Sequence, residues 1–291
     1  MLKPLVKWAG GKRQLLLELV KRLPKKWETY YEPFVGGGAL LIELYKRRML
    51  KSAVISDLNE ELINLYKVVK NYPHELIEML SSTEFKNEKD TYLKLRERFN
   101  EIIGNPEYSI ERAVLFLYLN KHCYNGLWRV NKAGKFNVPF GRYKNPSMPS
   151  QELILEFSNM LRNVEILNVD FEEAVSSAHR GDFVYFDPPY QPVSETAYFT
   201  DYTSGGFDYS EQKRLAKVCK KLTKKGVYVM ISNSNTDEIK DLYDNFHISI
   251  VNANRFINSR ADKRKGATEV IITNYEIEKR NRGVYTLDVF I

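Results

Sequence analysis

"YYEPFVGGGAL", residues 30–40, reads as a short strand over 30–34, a run of three glycines, and the start of a helix that continues to residue 49. Glycine lets a chain turn sharply and lets a ligand approach the backbone closely. Strand, glycine turn and helix in that order make half of an α/β unit. "AVISD" over 53–57 follows as a buried strand and 62–70 as a helix, and residues 12–23 supply an earlier helix. From 73 to 121, Leu, Ile and aromatic residues recur at spacings of three and four, which predicts helices throughout. After Pro149 the strand–helix rhythm returns, with helices over 152–161, 171–178 and 210–222 and strands over 164–169, 182–187, 226–232 and 268–274. Such repeated units predict a mostly parallel sheet covered on both faces. The chain therefore divides into a sheet domain over 1–60 and 150–291 and an inserted, mostly helical domain over 61–149. Within the insertion, residues 124–143 contain "RVNKAGKFNVPF", read as a hairpin or ordered loop around a Lys-Ala-Gly turn.

At 291 residues and 43% hydrophobic content, the chain can bury a large core in one or two domains. Its formal net charge is +7, and the placement of that charge is more informative than its size. From Arg112 to Gln151 there are seven Lys or Arg residues and no Asp or Glu. Clustered cations point to a polyanion, most often nucleic acid, with a solvated basic face as the alternative. Two cysteines and four scattered histidines give no metal-ligand spacing, so no metal is expected. His122 and Cys123 are chain neighbours and read as packing residues. The opening "MLKP" is not a signal peptide, and the longest apolar run, 113–119, is too short to cross a bilayer. A soluble, cytoplasmic protein without a membrane partner is the expectation.

In an open α/β sheet, ligands bind beyond the carboxyl ends of the strands. Three candidate sites fall at such ends. Gly36-Gly37-Gly38 is the first; it fails the G-x-G-x-x-G dinucleotide fingerprint because Leu41 stands where the last glycine would be. Asp57 is the second, about twenty residues on, placed for ribose hydroxyls or for capping the next helix. A nucleoside cofactor without a strict pyrophosphate fingerprint fits S-adenosylmethionine at least as well as NAD. The third is "DFVYFDPPY", residues 182–190. Proline removes a ladder donor and fixes its own φ, so the strand cannot continue. Asp187 and the Pro188 carbonyl can then accept hydrogen bonds from one planar amino group at a fixed separation. Tyr190 offers a ring on which a base can stack. Together these make a clamp for an exocyclic amine on an aromatic heterocycle. Pinning the amine in pyramidal geometry frees its lone pair for displacement at the cofactor methyl, so that positioning supplies most of the rate.

These motifs resemble the Dam-type DNA N6-adenine methyltransferases, closest to the GATC-specific enzymes of restriction–modification systems, and the likeness covers nearly the whole chain. "KWAGGK" (7–12) is similar to the family's N-terminal cofactor motif, and "EPFVGGGAL" matches its F-x-G-x-G loop through Phe34, Gly36 and Gly38. "FDPPY" matches the catalytic motif, Asp187-Pro188-Pro189-Tyr190, and "YNGLWRVN…FNVPFGRYKNP" the target-recognition segment. The resemblance implies a Rossmann-like S-adenosylmethionine-dependent α/β sheet with an inserted DNA-recognition domain. It implies that Trp8, Lys12, Asp57 and Asp187 contact S-adenosyl-L-methionine and that Asp170 and Phe171 flank its adenine. It also implies that Tyr124, Asn125 and Arg129 wedge into or read double-stranded DNA, and that Lys7 reaches an outer base. For Trp8 and Phe171, core packing is the alternative.

Arginine suits the edge of guanine in the major groove, and Lys132, Lys135, Arg142 and Lys144 suit phosphates. A base inside a duplex cannot reach the clamp, so the target adenine must flip out. "SRADKRKG" (259–266) reads as a second basic loop that meets DNA, or as a solvated one, and the lysines of 213–225 read as the polar face of a helix. Methylation of adenine N6 in RNA or of cytosine N4 in DNA is the nearest rival. A non-catalytic DNA-binding module and a dehydrogenase stand further off. A cognate restriction endonuclease is a possible partner.

Overall fold

In a computed structural model, residues 2–10, 12, 15–82, 85–190, 207–252 and 268–277 are described. The elements run α1 (Leu16–Lys21), β1 (Thr29–Glu32), α2 (Ala39–Lys46), β2 (Ser52–Ser56), α3 (Glu60–Asn71), α4 (Pro73–Ser82), α5 (Lys89–Ile102) and α6 (Ser109–His122). They continue with α7 (Gln151–Leu161), β3 (Val164–Leu167), α8 (Phe171–Ala174), β4 (Phe183–Phe186), α9 (Tyr209–Lys225), β5 (Tyr228–Ser234), α10 (Asp237–Leu242), β6 (His247–Asn252) and β7 (Thr268–Thr273).

The strands form one seven-stranded sheet in the order β3-β2-β1-β4-β5-β7-β6. The pairings from β3 across to β5 are parallel, whereas β7 runs antiparallel to both β5 and β6. From β1 the chain builds outward to β3 and then returns to β4 on the other side of β1. Strand order thus reverses between β1 and β4, a switch point of the kind where open α/β sheets bind ligands beyond the carboxyl ends of the strands.

β4, "FVYF", is buried at every position, as a central strand covered on both faces requires. Phe183 and Tyr185 join one apolar cluster, Val184 and Phe186 another. The first cluster runs without a break from the sheet through Tyr66 and Phe157 into Tyr92, Phe99 and Phe116 of the helical middle. The second lies under Leu215, Cys219 and Leu222 of α9. Arg112 and Glu61, each 3% exposed, tie α6 to α3 through guanidinium–carboxylate bonds of 2.6 and 3.1 Å. A buried charge of this kind persists only when paired.

The expected elements are present with ends shifted by a few residues, α3 and α9 running longer than expected. Residues 13 and 14 lie outside the described set, so α1 is described only from Leu16, and α8 ends at Ala174. The sequence pattern missed α10 and β6. β6 is an edge strand whose burial is confined to Val251, with Ile250 60% exposed, so no two-faced apolar run marks it. The lysines of α9 do lie on a polar face, with Lys221 bonded to Glu172 and Lys213 over the Tyr209 ring. Cys123 and Cys219 are buried free thiols, and His122 stacks on Tyr118, as packing residues would. Among the described residues, no helix is long and apolar enough to cross a membrane.

Candidate active site

The glycine turn after β1 is clamped from three sides. Gly36 has φ +46° and Gly38 φ +67°, in the left-handed region that side chains rarely adopt. The Gly36 amide donates to Asp57 Oδ2 at 3.1 Å, and its carbonyl accepts from the Tyr66 hydroxyl at 2.6 Å. Trp8 lies on its open face, so near that a Cβ there would meet the indole Cδ1 at 2.7 Å. Asp57 also accepts from the Asn59 amide at 2.9 Å, while Asn59 itself caps α3. Asp57 therefore ties two loops together and leaves the capping to its neighbour. Although half-buried as a residue, its carboxyl is packed closely enough that burial pushes its pKa up to about 6. Glu32, buried at the end of β1, is pushed up to about 8 by burial and accepts the Tyr30 hydroxyl at 2.9 Å.

Asp187 is the first residue after β4. Its Oδ1 receives the Lys12 ammonium at 3.0 Å and the Ser232 hydroxyl at 3.2 Å. Lys12 Nζ also lies 4.1 Å from the centre of the Tyr190 ring and 3.9 Å from Glu269 Oε2, and the Tyr190 hydroxyl donates to that same Glu269 oxygen at 2.6 Å. Pro188 and Pro189 have no N–H to offer, so side chains must tie this loop. Gln212 does so from α9, donating to the Pro189 carbonyl at 3.2 Å and accepting from Asn233 at 2.9 Å, with both side chains fully buried. Burial raises the Asp187 pKa, against the opposing pull of Lys12. One lysine thus covers both halves of the expected clamp, the carboxylate and the ring. An incoming amine would have to exchange with it.

Phe34 and Phe171 are brought together at 5.4 Å between ring centres, with Phe207 5.5 Å from Phe34 and 5.9 Å from Phe171. Phe171 is 2% exposed and carries the Arg214 guanidinium 4.1 Å above its ring. Both oxygens of Asp170 accept from Arg214 at 2.7 Å, which holds its carboxyl below the usual carboxylate range, and one of them also accepts the Glu172 amide. In this arrangement Phe171 packs as a core residue and Asp170 caps α8.

The profile of the D12 class N6 adenine-specific DNA methyltransferases matches residues 8–257. The chain belongs to that family. A Type II methyltransferase of Lactococcus lactis subsp. cremoris, M1.LlaDCHI, is 45% identical over 94% of this chain and 96% of its own. Another from Methanocaldococcus jannaschii, M.MjaIII, is 46% identical over 94% and 99%. A DNA adenine methylase of Serratia marcescens is 38% identical over 91% and 96%. The protein is thus an adenine-specific DNA methyltransferase, its seven-stranded sheet having the doubly wound α/β order described above, and membership of a methyltransferase family implies the use of S-adenosylmethionine.

The residues expected to meet DNA rise from the end of α6. Residues 124–143 form an antiparallel excursion with isolated bridges at Cys123↔Phe140 and Val130↔Phe136, an ordered loop rather than a continuous hairpin ladder. Helix side chains hold its base. Tyr92 donates to the Val138 carbonyl at 2.7 Å, and Asn100 pairs with both the N–H and the C=O of Phe136, at 2.7 and 3.0 Å. Tyr124, Asn125, Arg129, Lys132, Arg142 and Lys144 are all exposed along it. Asn125 and Arg142 sit at φ +55° and +53°. Arg129 is oriented by Asn137, through Nε to the amide oxygen at 2.7 Å and Nη2 to the carbonyl at 3.1 Å. Lys7 reaches over the Tyr143 ring at 4.1 Å. The basic stretch 259–266 lies outside the described residues.

Sequence reasoning missed Glu269, Ser232, Gln212, Tyr66, Arg214 and Asn120. Glu269 escaped because β7 is reversed: its start, not its end, lies at the carboxyl edge of the parallel strands. Among the described residues, Glu28, His179 and Asp182 gather within 4.8 Å of one another at the opposite edge of the sheet. The two Asp182 oxygens there accept the amides of Thr29 and His179, at 3.0 and 2.9 Å, which gives this carboxylate a structural task.

Proposed function

We propose that this methyltransferase transfers the methyl of S-adenosyl-L-methionine to N6 of an adenine flipped out of double-stranded GATC. The observation that carries the reading is the placement of Asp187, on a proline-stiffened loop at the end of β4, across the strand-order reversal from the clamped glycine turn. The cofactor residues fit a nucleoside. Gly36 and Gly37 let Trp8 pack directly on the turn, Gly38 takes a left-handed φ of +67° at the start of α2, and Asp57 keeps acceptor capacity for hydroxyls after taking two amides. Lys12, Phe34, Asp170 and Phe171 complete the candidate set. When bound, S-adenosyl-L-methionine supplies a methyl on a positively charged sulfur, electrophilic enough for direct displacement. Asp187 and the Pro188 carbonyl accept the two N6–H bonds and turn the amine lone pair outward. Tyr190, fixed by Glu269, stacks on the base. Its raised pKa makes Asp187 a better acceptor for the proton that N6 sheds. The middle of the chain, 61–149, acts as the target-recognition domain, with Tyr124, Asn125 and Arg129 at bases, joined by Lys7 from the sheet domain, and Lys132, Arg142 and Lys144 at phosphates. Flipping costs roughly a few kcal/mol, which base and phosphate contacts must supply. No metal takes part, the enzyme works in the cytoplasm where DNA lies, and its partner in a restriction–modification system is an endonuclease cutting the same sequence.

The test is incubation of plasmid DNA with protein and S-adenosyl-L-methionine, with and without a chelator, followed by cleavage with GATC enzymes of opposite methylation sensitivity. The expected outcome is N6-methyladenine at GATC in both arms. Modification of a different sequence overturns the GATC reading, and loss of activity with the chelator overturns the metal-free one.

A further inference from the structure

Asn120, on the last turn of α6 and 4% exposed, is bonded like a strand partner to a residue 113 positions away. Its Oδ1 accepts the Lys7 amide at 2.8 Å, and its Nδ2 donates to the Lys7 carbonyl at 2.8 Å and to the Gly126 carbonyl at 3.1 Å. Both hydrogens of the amide are thereby used, and its oxygen is engaged as well. Gly126, at φ +63°, presses against the Lys7 stem, where a Cβ would meet Lys7 Cβ at 2.5 Å and Cδ at 2.7 Å. The residue after Lys7 is Trp8, which lies against Gly36 of the cofactor turn. Two residues before Gly126 is Tyr124, which opens the recognition excursion. A single buried amide therefore fixes three things to one another: the Lys7 backbone, the turn at Gly126, and, through the adjacent Trp8, the glycine turn on which that indole packs.

We infer that Asn120 is a positioning residue that sets the register between Lys7 and the Tyr124–Arg129 reading segment, and through Trp8 the seating of the cofactor loop. Asn120 touches neither DNA nor cofactor; it acts through Lys7 and Gly126. The inference rests on the reading above, that Lys7 and Arg129 meet bases. Lys7→Ala and Arg129→Ala each identify, by selective loss of discrimination, the base pair that residue reads. Asn120→Ala should lose about tenfold discrimination at both pairs at once, and should also weaken binding of S-adenosylhomocysteine measured without DNA. Asn120→Asp keeps the acceptor for the Lys7 amide but loses both donor bonds. It should show the same joint pattern, and it carries the test if the alanine variant does not fold. The measurements are methylation rates on the cognate duplex and on each singly substituted duplex, calorimetric titration with S-adenosylhomocysteine, and thermal melting. An Asn120 variant that slows all duplexes by one factor with unchanged cofactor affinity is a packing change, and it overturns the inference while the function stands. Wild-type protein that transfers no methyl to any duplex overturns the function itself, and the inference with it.

Discussion

Residues 187–190 and residues 124–143 are both irregular backbone, and both are tied down by side chains rather than by a ladder. They differ in where their charges lie. At residues 187–190 the charged groups face inward: Lys12 and Glu269 side chains are 10% and 9% exposed, and Asp187 is bonded to Lys12 and Ser232. Along residues 124–143 the ties are mostly neutral, from Asn100, Asn120, Asn137 and Tyr92, with Arg96 adding one charged bond to the Val138 carbonyl, and the side chains of Lys132, Arg142 and Lys144 are exposed. A group held in a dry, paired setting cannot reorganise cheaply, which suits chemistry that depends on fixed acceptors. A cation in solvent is free to meet phosphates and exchange with counterions. Damage to the first region should thus change turnover, and damage to the second should change selection.

The sharpest way to break this contrast is Asp187→Ala. It removes one of the two fixed acceptors and should cost on the order of a hundredfold or more in single-turnover rate. DNA affinity, measured by gel shift, should fall far less, because phosphate contacts carry most of it. Near-normal turnover would remove Asp187 from the mechanism.

A smaller effect should separate two cations of the excursion. If Arg129 reads guanine as proposed, Arg129→Ala should narrow the gap between cognate and guanine-substituted duplexes by roughly 1–3 kcal/mol, Asn137 being the partner that fixes its guanidinium. Lys132→Ala, at the tip, should weaken all sequences alike and reduce the salt slope by about one counterion. Rates on single-substitution duplexes at several salt concentrations decide the matter, and a uniform loss for Arg129→Ala would make it a phosphate contact.

The smallest effect concerns protons. A folded pKa of about 6 for Asp57, against an ordinary 3.8, means that the apo fold prefers the protonated acid. Its contribution to folding stability is fully present below the unfolded pKa near 3.8 and is lost as pH rises through about 6. Accepting ribose hydroxyls favours the carboxylate, so cofactor affinity should move the other way. It should weaken as pH falls below 6, approaching about tenfold per pH unit. Calorimetric titration from pH 5 to 8 should show that slope in wild type and lose it in Asp57→Asn; a slope surviving in the variant would assign it to another group.

Much of this arrangement was legible in the sequence because it sits where apolar runs stop. Asp57 and Asp187 each follow a buried strand, and the glycines separate β1 from α2, so strand direction alone carried them to one edge. Two kinds of residue were hidden. Glu269 precedes its strand, and only the reversal of β7 brings it to the site. Gln212, Tyr66 and Asn120 lie within helices at buried positions where an apolar residue would satisfy the periodicity equally well, and their hydrogen-bond partners are distant in sequence. Asp170 and Phe171 mark a further limit. A short motif places them, but whether a ring packs or stacks on a ligand depends on Phe34, Phe207 and Arg214 arriving from elsewhere in the chain.

Trp8, pressed against Gly36, has a practical consequence as well. The protein has three tryptophans, and the fold distributes them to three places. Trp27 sits at the amino edge of the sheet, 5.5 Å from the Phe183 ring, and Trp128 lies beneath the excursion among Phe99, Phe116 and Phe136. Indole emission depends on local polarity, so each is an optical reporter of its own region. With the other two replaced by phenylalanine, a single remaining tryptophan would report separately on the glycine turn, the far edge of the sheet, or the base of the 124–143 segment, with no dye attached.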